Sequence, residues 1–148
     1  MISTKRIGLI ALLIPVPVLL LIAARASDII PVPLKQIIPV EQRQCAAKTA
    51  SGLGWKMLRH GTGALPSASD RLTINYIGYL AASGEVFDQG EGASFTAGDV
   101  IDGFGEGLQM MPAGSIYRFC IPAALGYGAR SVGPIPAGSD LVFQVERK

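Results

Sequence analysis

The stretch from Arg71 to Leu80 alternates apolar side chains with polar or small ones, and no other feature of the chain constrains its fold as strongly. Leu72, Ile74 and Tyr76 fall on one face of an extended segment, because successive side chains of a strand point to opposite faces. The opposite face carries the residues between them: Thr73, Asn75 and Ile77. This periodicity predicts a β-strand.

Other short stretches have the composition of strands and are bounded by turn residues. A turn at Ala81–Glu85, around Ser83 and Gly84, returns the chain toward the first strand. The further predicted strands are Gly54–Arg59 at the sheet edge, Val86–Asp88, Ser94–Thr96, Ser115–Ile121 and Asp140–Glu146. Such a series predicts an antiparallel sheet.

One segment after the first strands has helical spacing. Phe104, Leu108 and Met111 recur at i, i+4 and i+7, which places them on one face of a helix over Gly103–Met111. Gly105 and Gly107 each cost a helix roughly 1 kcal/mol relative to alanine, so packing must hold it together. Short strands with one short helix predict an α+β fold whose sheet wraps over the helix.

The N-terminus has the pattern of an export signal. Lys5 and Arg6 precede an apolar run over residues 7–24, and Ala24-Arg25-Ala26 is a small-x-small cleavage pattern. The run is long for a signal peptide and short for a membrane span, so residues 1–26 are either a cleaved signal peptide or a hydrophobic N-terminal helix that anchors the chain. Both alternatives place the rest of the protein in the cell envelope or periplasm, with membrane contact only through residues 7–24.

The remaining chain divides into a proline-containing spacer over residues 27–50 and a single domain over residues 51–148.

The formal charge of +2 comes from the leader; without its three basic residues, ten basic and eleven acidic residues leave a charge of −1. A nearly neutral domain without a basic stripe gives no basis for nucleic-acid binding. We expect a monomer.

The chain has two cysteines, Cys45 in the spacer and Cys120 in a predicted strand. In an oxidising exported setting they form either one disulfide or two unpaired thiols. Both alternatives stay open, because the sequence alone does not show whether the two Cα atoms lie within bridging distance. Neither has an acid–base partner nearby in sequence, so a catalytic thiol is not expected.

A set of aromatic and aliphatic residues with one acid is distributed through the domain, without a strong nucleophile, a metal-ligand cluster or a phosphate-binding loop. A site made of such residues can exclude water from a small apolar ring and hold a peptide carbonyl in a dry place. The same residues could form an ordinary core, with the acid capping a turn. The set comprises Tyr76, Phe87, Asp88, Phe95, Val100, Ile101, Phe104, Tyr127, Ile135 and Phe143.

The order and spacing of several motifs give this set a more specific meaning. Together they resemble the FKBP-type peptidyl-prolyl isomerases over about residues 51–147, and the resemblance implies a twisted antiparallel sheet wrapped around one short helix. The motifs are Asn75–Leu80, Gly84–Asp88, Val100–Phe104, Glu106–Leu108 with Met111 and Gly114, Ile121–Pro122, Leu125–Gly128, Ile135–Pro136 and Leu141–Glu146.

The resemblance implies a role for each residue of the set. Phe104 is the floor of a pocket for the substrate proline ring, and the walls of that pocket are Tyr76, Phe87, Val100, Ile101 and Phe143. Phe95 is a further substrate-binding residue. The Tyr127 hydroxyl and the Ile101 N–H are donors to a substrate carbonyl, and Ile135 lies on a loop that closes over the ring. Asp88 orients the site through a hydrogen bond and is not a proton-transfer base.

The resemblance further implies substrates and inhibitors, and the chain departs from the family pattern at Phe104 and in two loops. We expect proline-containing unfolded or partly folded polypeptides as substrates, macrolides as inhibitors, and neither metal nor cofactor. Most relatives carry a tryptophan where this chain has Phe104, and the loops between Asp88 and Phe95 and over residues 129–134 are short. The alternative to an isomerase is a chaperone or scaffold module that binds apolar or proline-containing segments without turnover.

Overall fold

In the computed structural model, residues 28–32 and 37–148 are described. The predicted leader, residues 1–26, lies outside this part of the chain. Among the described residues, no helix is long and apolar enough to cross a membrane.

Within residues 28–32 and 37–148, the chain forms one antiparallel sheet of six strands, and a single α-helix lies across the inner face of that sheet. The strand order is β1-β2-β5-β6-β3-β4, so the alternating strand β3 is enclosed between β6 and β4. The elements are β1 (Ala47–Lys48), β2 (Gly54–Arg59), β3 (Arg71–Leu80), β4 (Val86–Thr96), α1 (Asp102–Gln109), β5 (Ile116–Ile121) and β6 (Leu141–Arg147). The predicted arrangement of an antiparallel sheet and one short helix is confirmed in this part of the chain.

Helix α1 packs closely on β5, which explains the glycines that weaken it as an isolated helix. A Cβ atom at Gly107 would lie 3.0 Å from the Phe119 ring, and one at Gly103 would lie 2.6 Å from Ile121 Cγ2. The missing side chains therefore let the helix approach the sheet. Phe104 and Leu108 are buried at this contact, as the helical spacing predicted.

The hairpin after β3 differs from the sequence-based expectation. We predicted two short strands, Val86–Asp88 and Ser94–Thr96, with a loop between them; the structure has one continuous strand, β4. The intervening residues pair with β3, and two irregularities in the register absorb the extra residues. At the other end of the sheet, β1 pairs outside β2, so β2 is not the edge strand we expected.

The region expected to be an extended spacer lies partly on the outer face of the sheet. Ile30 and Ile38 are buried in a second apolar cluster with Ile77, Tyr79 and Val142. We call residues 28–32 and 37–48 the N-terminal strap. The strap covers apolar side chains of β3 and β6 that would otherwise face water, which is why it packs against the sheet rather than extending from it.

Buried polar side chains hold the strap in place. The amide of Gln144 accepts a hydrogen bond from the Ile30 N–H and donates one to the Ile30 carbonyl, both at 2.7 Å. The fully buried Arg118 donates to the carbonyls of Asp28 and Gln44. These contacts satisfy backbone groups that burial would otherwise leave without partners.

The two cysteines are joined in the structure. Cys45 of the strap forms a disulfide with Cys120 of β5, with the Cα atoms 6.1 Å apart. Gly54 lies opposite Cys120 in the sheet, and a Cβ there would be 2.9 Å from Cys120 Cβ. The absent side chain leaves room for the bridge.

Packing of the strap gives a stability prediction with a built-in control. Ile38 is fully buried, whereas its neighbour Ile37 is 58% exposed. We expect Ile38→Ala to lower the free energy of unfolding by about 3 kcal/mol, through lost burial and a residual cavity. Ile37→Ala should change it by less than about 0.5 kcal/mol. Equal effects in urea denaturation would contradict the packing of the strap.

Candidate functional site

Five aromatic rings meet on the inner face of the sheet, next to α1. The ring centroids of Phe104 and Phe143 are 4.6 Å apart. Phe95 meets Phe104 edge-on at 5.9 Å and Tyr76 edge-on at 5.4 Å. Phe87 packs edge-on against Phe143, also at 5.4 Å. We call these five residues the aromatic cluster. The structure thus brings together residues that lie far apart in sequence.

Four elements supply the cluster. Strand β3 contributes Tyr76, β4 contributes Phe87 and Phe95, α1 contributes Phe104, and β6 contributes Phe143. Phe143 is paired directly with Gly78 of β3. A Cβ at Gly78 would lie 2.6 Å from the Phe143 ring and 2.8 Å from the Phe87 ring, so the glycine gives both rings their space. Gly78 belongs to a predicted motif but was not assigned to the site; a glycine inside a strand is the signal for such close approach.

Asp88 lies beside the cluster and accepts a hydrogen bond from a buried tyrosine. The Tyr76 hydroxyl donates to Asp88 Oδ2 at 2.8 Å. Tyr76 is only 7% exposed, whereas Asp88 is exposed. Burial, together with the neighbouring carboxylate, raises the pKa of Tyr76 to about 12. The phenol therefore stays protonated at neutral pH and remains a donor to Asp88.

Tyr76 and Tyr79 should ionise at a higher pH than an ordinary tyrosine. Burial also raises the pKa of Tyr79 to about 12. Because both folded-state pKa values exceed the unfolded value near 10, these groups favour folding fully below pH 10, and that contribution is lost as pH rises toward about 12. In an absorbance titration of tyrosinate, part of the signal should appear only near pH 12, and Tyr76→Phe should reduce that part. A titration complete near pH 10 would contradict this expectation.

Two donors that the motifs assign to the site make no hydrogen bond within the described part of the chain. The Ile101 N–H precedes α1 and donates to no backbone carbonyl there. Tyr127 is half-buried against the core, and its hydroxyl makes no hydrogen bond with residues 28–32 or 37–148. Both groups therefore have hydrogen-bonding capacity that the described residues do not use.

The remaining members of the predicted set also lie near the core. Val100 and Ile101 are half-buried against the same core as the rings. Ile135 is 5% exposed and bonds to Val132 through reciprocal backbone hydrogen bonds of 2.9 Å, so its loop is folded against the core. Phe104 is 4% exposed, so the floor expected beneath a substrate is a largely covered ring.

Three cavities lined by the described residues lie outside the aromatic cluster: a small one of about 240 Å³ and two larger ones. One of about 510 Å³ runs beside the disulfide and is lined in part by Arg43, Lys48 and Asp140. The other, of about 470 Å³, lies along the outer side of α1, where Asp102 and Glu106 line it. None of the three is lined by the rings of the cluster, so we distinguish them from the candidate site.

Comparison with known proteins decides the family. A model described as FKBP-type peptidyl-prolyl cis-trans isomerase matches residues 63–148, the region that carries the whole aromatic cluster. This chain belongs to that family. The resemblance predicted from its motifs is therefore confirmed.

Bacterial members of the FKBP family match most of the chain. It is 41% identical over 109 residues to the FKBP-type peptidyl-prolyl cis-trans isomerase FkpA of Aeromonas hydrophila, a match covering 71% of this chain and 40% of the relative. It is 46% identical over 100 residues to the outer membrane protein MIP of Legionella longbeachae, covering 64% and 42%. An Escherichia coli FKBP-type 22 kDa isomerase is 44% identical, covering 66% and 50%. The chain spans half or less of the length of these relatives.

Solved FKBP structures have the same fold. The crystal structure of FkpA from Escherichia coli matches with a TM-score of 0.65 at 37% identity, covering 68% of this chain and 49% of that chain. The crystal structure of AtFKBP13 matches with a TM-score of 0.61 at 30% identity, covering 68% and 94%.

Proposed function

We propose that this chain accelerates the cis–trans isomerisation of X–Pro peptide bonds in proteins. The observation that carries the proposal is the aromatic cluster with its Tyr76–Asp88 hydrogen bond, in a chain of the FKBP family. Amide resonance opposes rotation about the bond with a barrier of ~18–20 kcal/mol. Uncatalysed exchange takes tens to hundreds of seconds, which is slow enough to limit folding.

The cluster lowers this barrier by favouring the twisted amide over the planar one. Twisting removes the conjugation between nitrogen and carbonyl, so the twisted form is less dipolar than the planar form. An apolar site takes solvation away from both, and the planar ground state loses more. Better binding of the twisted form than of either planar form accounts for catalysis.

Polar groups at the margin orient the substrate. Tyr127 and the Ile101 N–H donate to substrate carbonyls, while the small exposed parts of the Phe104 and Phe143 rings contact the proline ring. Asp88 holds Tyr76 in place through the 2.8 Å hydrogen bond. Isomerisation transfers no proton, so neither member of this pair acts as an acid or a base.

The substrates in this proposal are proline-containing segments of unfolded or partly folded exported proteins, and macrolides compete for the same surface.

The protein acts as a monomer in the cell envelope. Three observations support export: the basic start and apolar run of residues 5–24, the Cys45–Cys120 disulfide, and similarity to a relative named as an outer membrane protein. Mass measurement of the mature protein tests the leader: loss of residues 1–26 means cleavage, and retention means an anchor.

A protease-coupled assay with a proline tetrapeptide tests the activity. Catalysis predicts that the slow cis-to-trans phase accelerates in proportion to protein concentration. The alternative, a chaperone or scaffold module, is favoured by Phe104, whose phenyl ring replaces the larger indole of most relatives. It predicts that the peptide shifts the NMR resonances of Phe104 and Tyr127 while the slow phase keeps its uncatalysed rate. That outcome would reject the isomerase proposal.

A further inference from the structure

The hydrogen bonding of β3 to β4 shifts by one residue next to Tyr76. Ile74 pairs with Ala93, and two positions along β3, Tyr76 pairs with Gly90. Between these pairs β3 has one residue, Asn75, whereas β4 has two. Strand β4 therefore contains a β-bulge, in which one extra residue lies opposite the partner strand.

Asn75 holds this bulge from the outer face of the sheet. Its Oδ1 accepts a hydrogen bond of 2.8 Å from the N–H of Gly92, which has a φ of 60° suited to glycine at a bulge. Its Nδ2 donates to Glu146 Oε2 at 2.9 Å. Glu146 is fixed in turn by Arg59, whose Nη2 donates to its other oxygen at 2.7 Å. The bulge is thus tied to β6 and β2.

The shift decides which face of the sheet carries Asp88. With the bulge, Asp88 pairs with Gly78, on the same face as Tyr76. If the register of Ile74 and Ala93 continued unchanged, Asp88 would instead lie opposite Tyr79. Tyr79 belongs to the outer-face cluster beneath the strap. A slip of one residue moves a side chain to the other face of a sheet, so the bulge is required for the Tyr76–Asp88 hydrogen bond.

We propose that Asn75 is a positioning residue for isomerisation: by holding the bulge at Gly92, it keeps Asp88 on the inner face within hydrogen-bonding distance of Tyr76. Asn75 does not itself contact substrate. Its effect on turnover rests on the proposed function, whereas its effect on the geometry of Asp88 does not.

The test compares Asn75→Ala with Thr73→Ala in the full chain. Thr73 lies two residues earlier on the same outer face of β3 and is exposed, so it is a matched control. Asn75→Ala should speed hydrogen exchange at the Gly92 amide and shift the Asp88 carboxyl carbon resonance. It should also lower kcat about fivefold while KM stays within about twofold, because the apolar walls remain. Thr73→Ala should leave all four readouts unchanged.

A rescue variant separates positioning from general loss of stability. In Asn75→Asp with Glu146→Gln, a carboxylate at 75 can accept from both the Gly92 N–H and the amide at 146. This pair should restore the Gly92 and Asp88 signals and at least half of kcat. An Asn75→Ala protein with an unshifted Asp88 resonance, or a kcat equal to that of Thr73→Ala, would overturn the inference. If the wild type lacks isomerase activity, the proposed function fails, and the two NMR readouts still test Asn75.

Discussion

Replacing both Cys45 and Cys120 with serine is expected to lower the free energy of unfolding by about 4 kcal/mol. The disulfide joins residues separated by 75 positions, and a cross-link over a long loop removes much conformational freedom from the unfolded chain. It also fixes the strap to β5, where Arg118 adds hydrogen bonds, while Ile30 and Ile38 of the strap pack against β3 and β6. Urea denaturation of the oxidised protein and the double variant measures the difference.

Reducing agent provides the control. The reduced wild type should unfold near the midpoint of the serine variant, while the variant itself should not respond to reductant. A stability difference below about 1 kcal/mol between oxidised wild type and variant would contradict a structural role for the bridge.

The second large effect is expected at the candidate site. The double variant Tyr127→Phe with Asp88→Ala should lower kcat/KM about 100-fold, because it removes the proposed donor to the substrate and the acceptor of the Tyr76 hydroxyl. The Tyr127 hydroxyl has no partner within the described residues, so its loss should change stability little. Loss of Asp88 leaves the buried Tyr76 hydroxyl without its acceptor and should lower the free energy of unfolding by about 1–3 kcal/mol, which still leaves the protein folded. The protease-coupled assay measures the loss, and circular dichroism checks the fold.

A matched pair outside the aromatic cluster serves as the control. Tyr117 of β5 stacks on Phe119 and contacts Trp55, and Asp99 is an exposed acid before α1. Tyr117→Phe with Asp99→Ala makes the same chemical changes and should keep kcat/KM within about threefold. Full activity of the site variant, or an equal loss in the control, would show that Tyr127 and Asp88 do not have the proposed roles.

The sequence predicted the fold where local pattern and tertiary packing agree. Strand β3 has the predicted bounds because its apolar face is the core face. Phe104 and Leu108 are buried as their helical spacing required. The motifs also assigned a site to residues that lie far apart in sequence, and the structure brings five of its rings and Asp88 together. The roles of these residues stay predictions.

The remaining features depend on contacts that no local pattern encodes. Gly90 and Gly92 were interpreted as part of a loop, although they form a bulge within a continuous strand. The strap has no periodicity, and only the apolar Ile77 and Tyr79 on the outward face of β3 signalled that something covers that face. The importance of Asn75 follows from its bond to Gly92, which cannot be inferred without the register.

Exchange NMR on a single X–Pro peptide tests most directly whether the aromatic cluster catalyses isomerisation. With a small amount of the wild-type protein, exchange peaks between the cis and trans resonances should appear at mixing times far shorter than the uncatalysed exchange, which takes tens to hundreds of seconds. The Tyr127→Phe with Asp88→Ala variant should abolish these peaks. Peptide resonances that shift on binding while cis–trans exchange keeps its uncatalysed rate would contradict catalysis by this site.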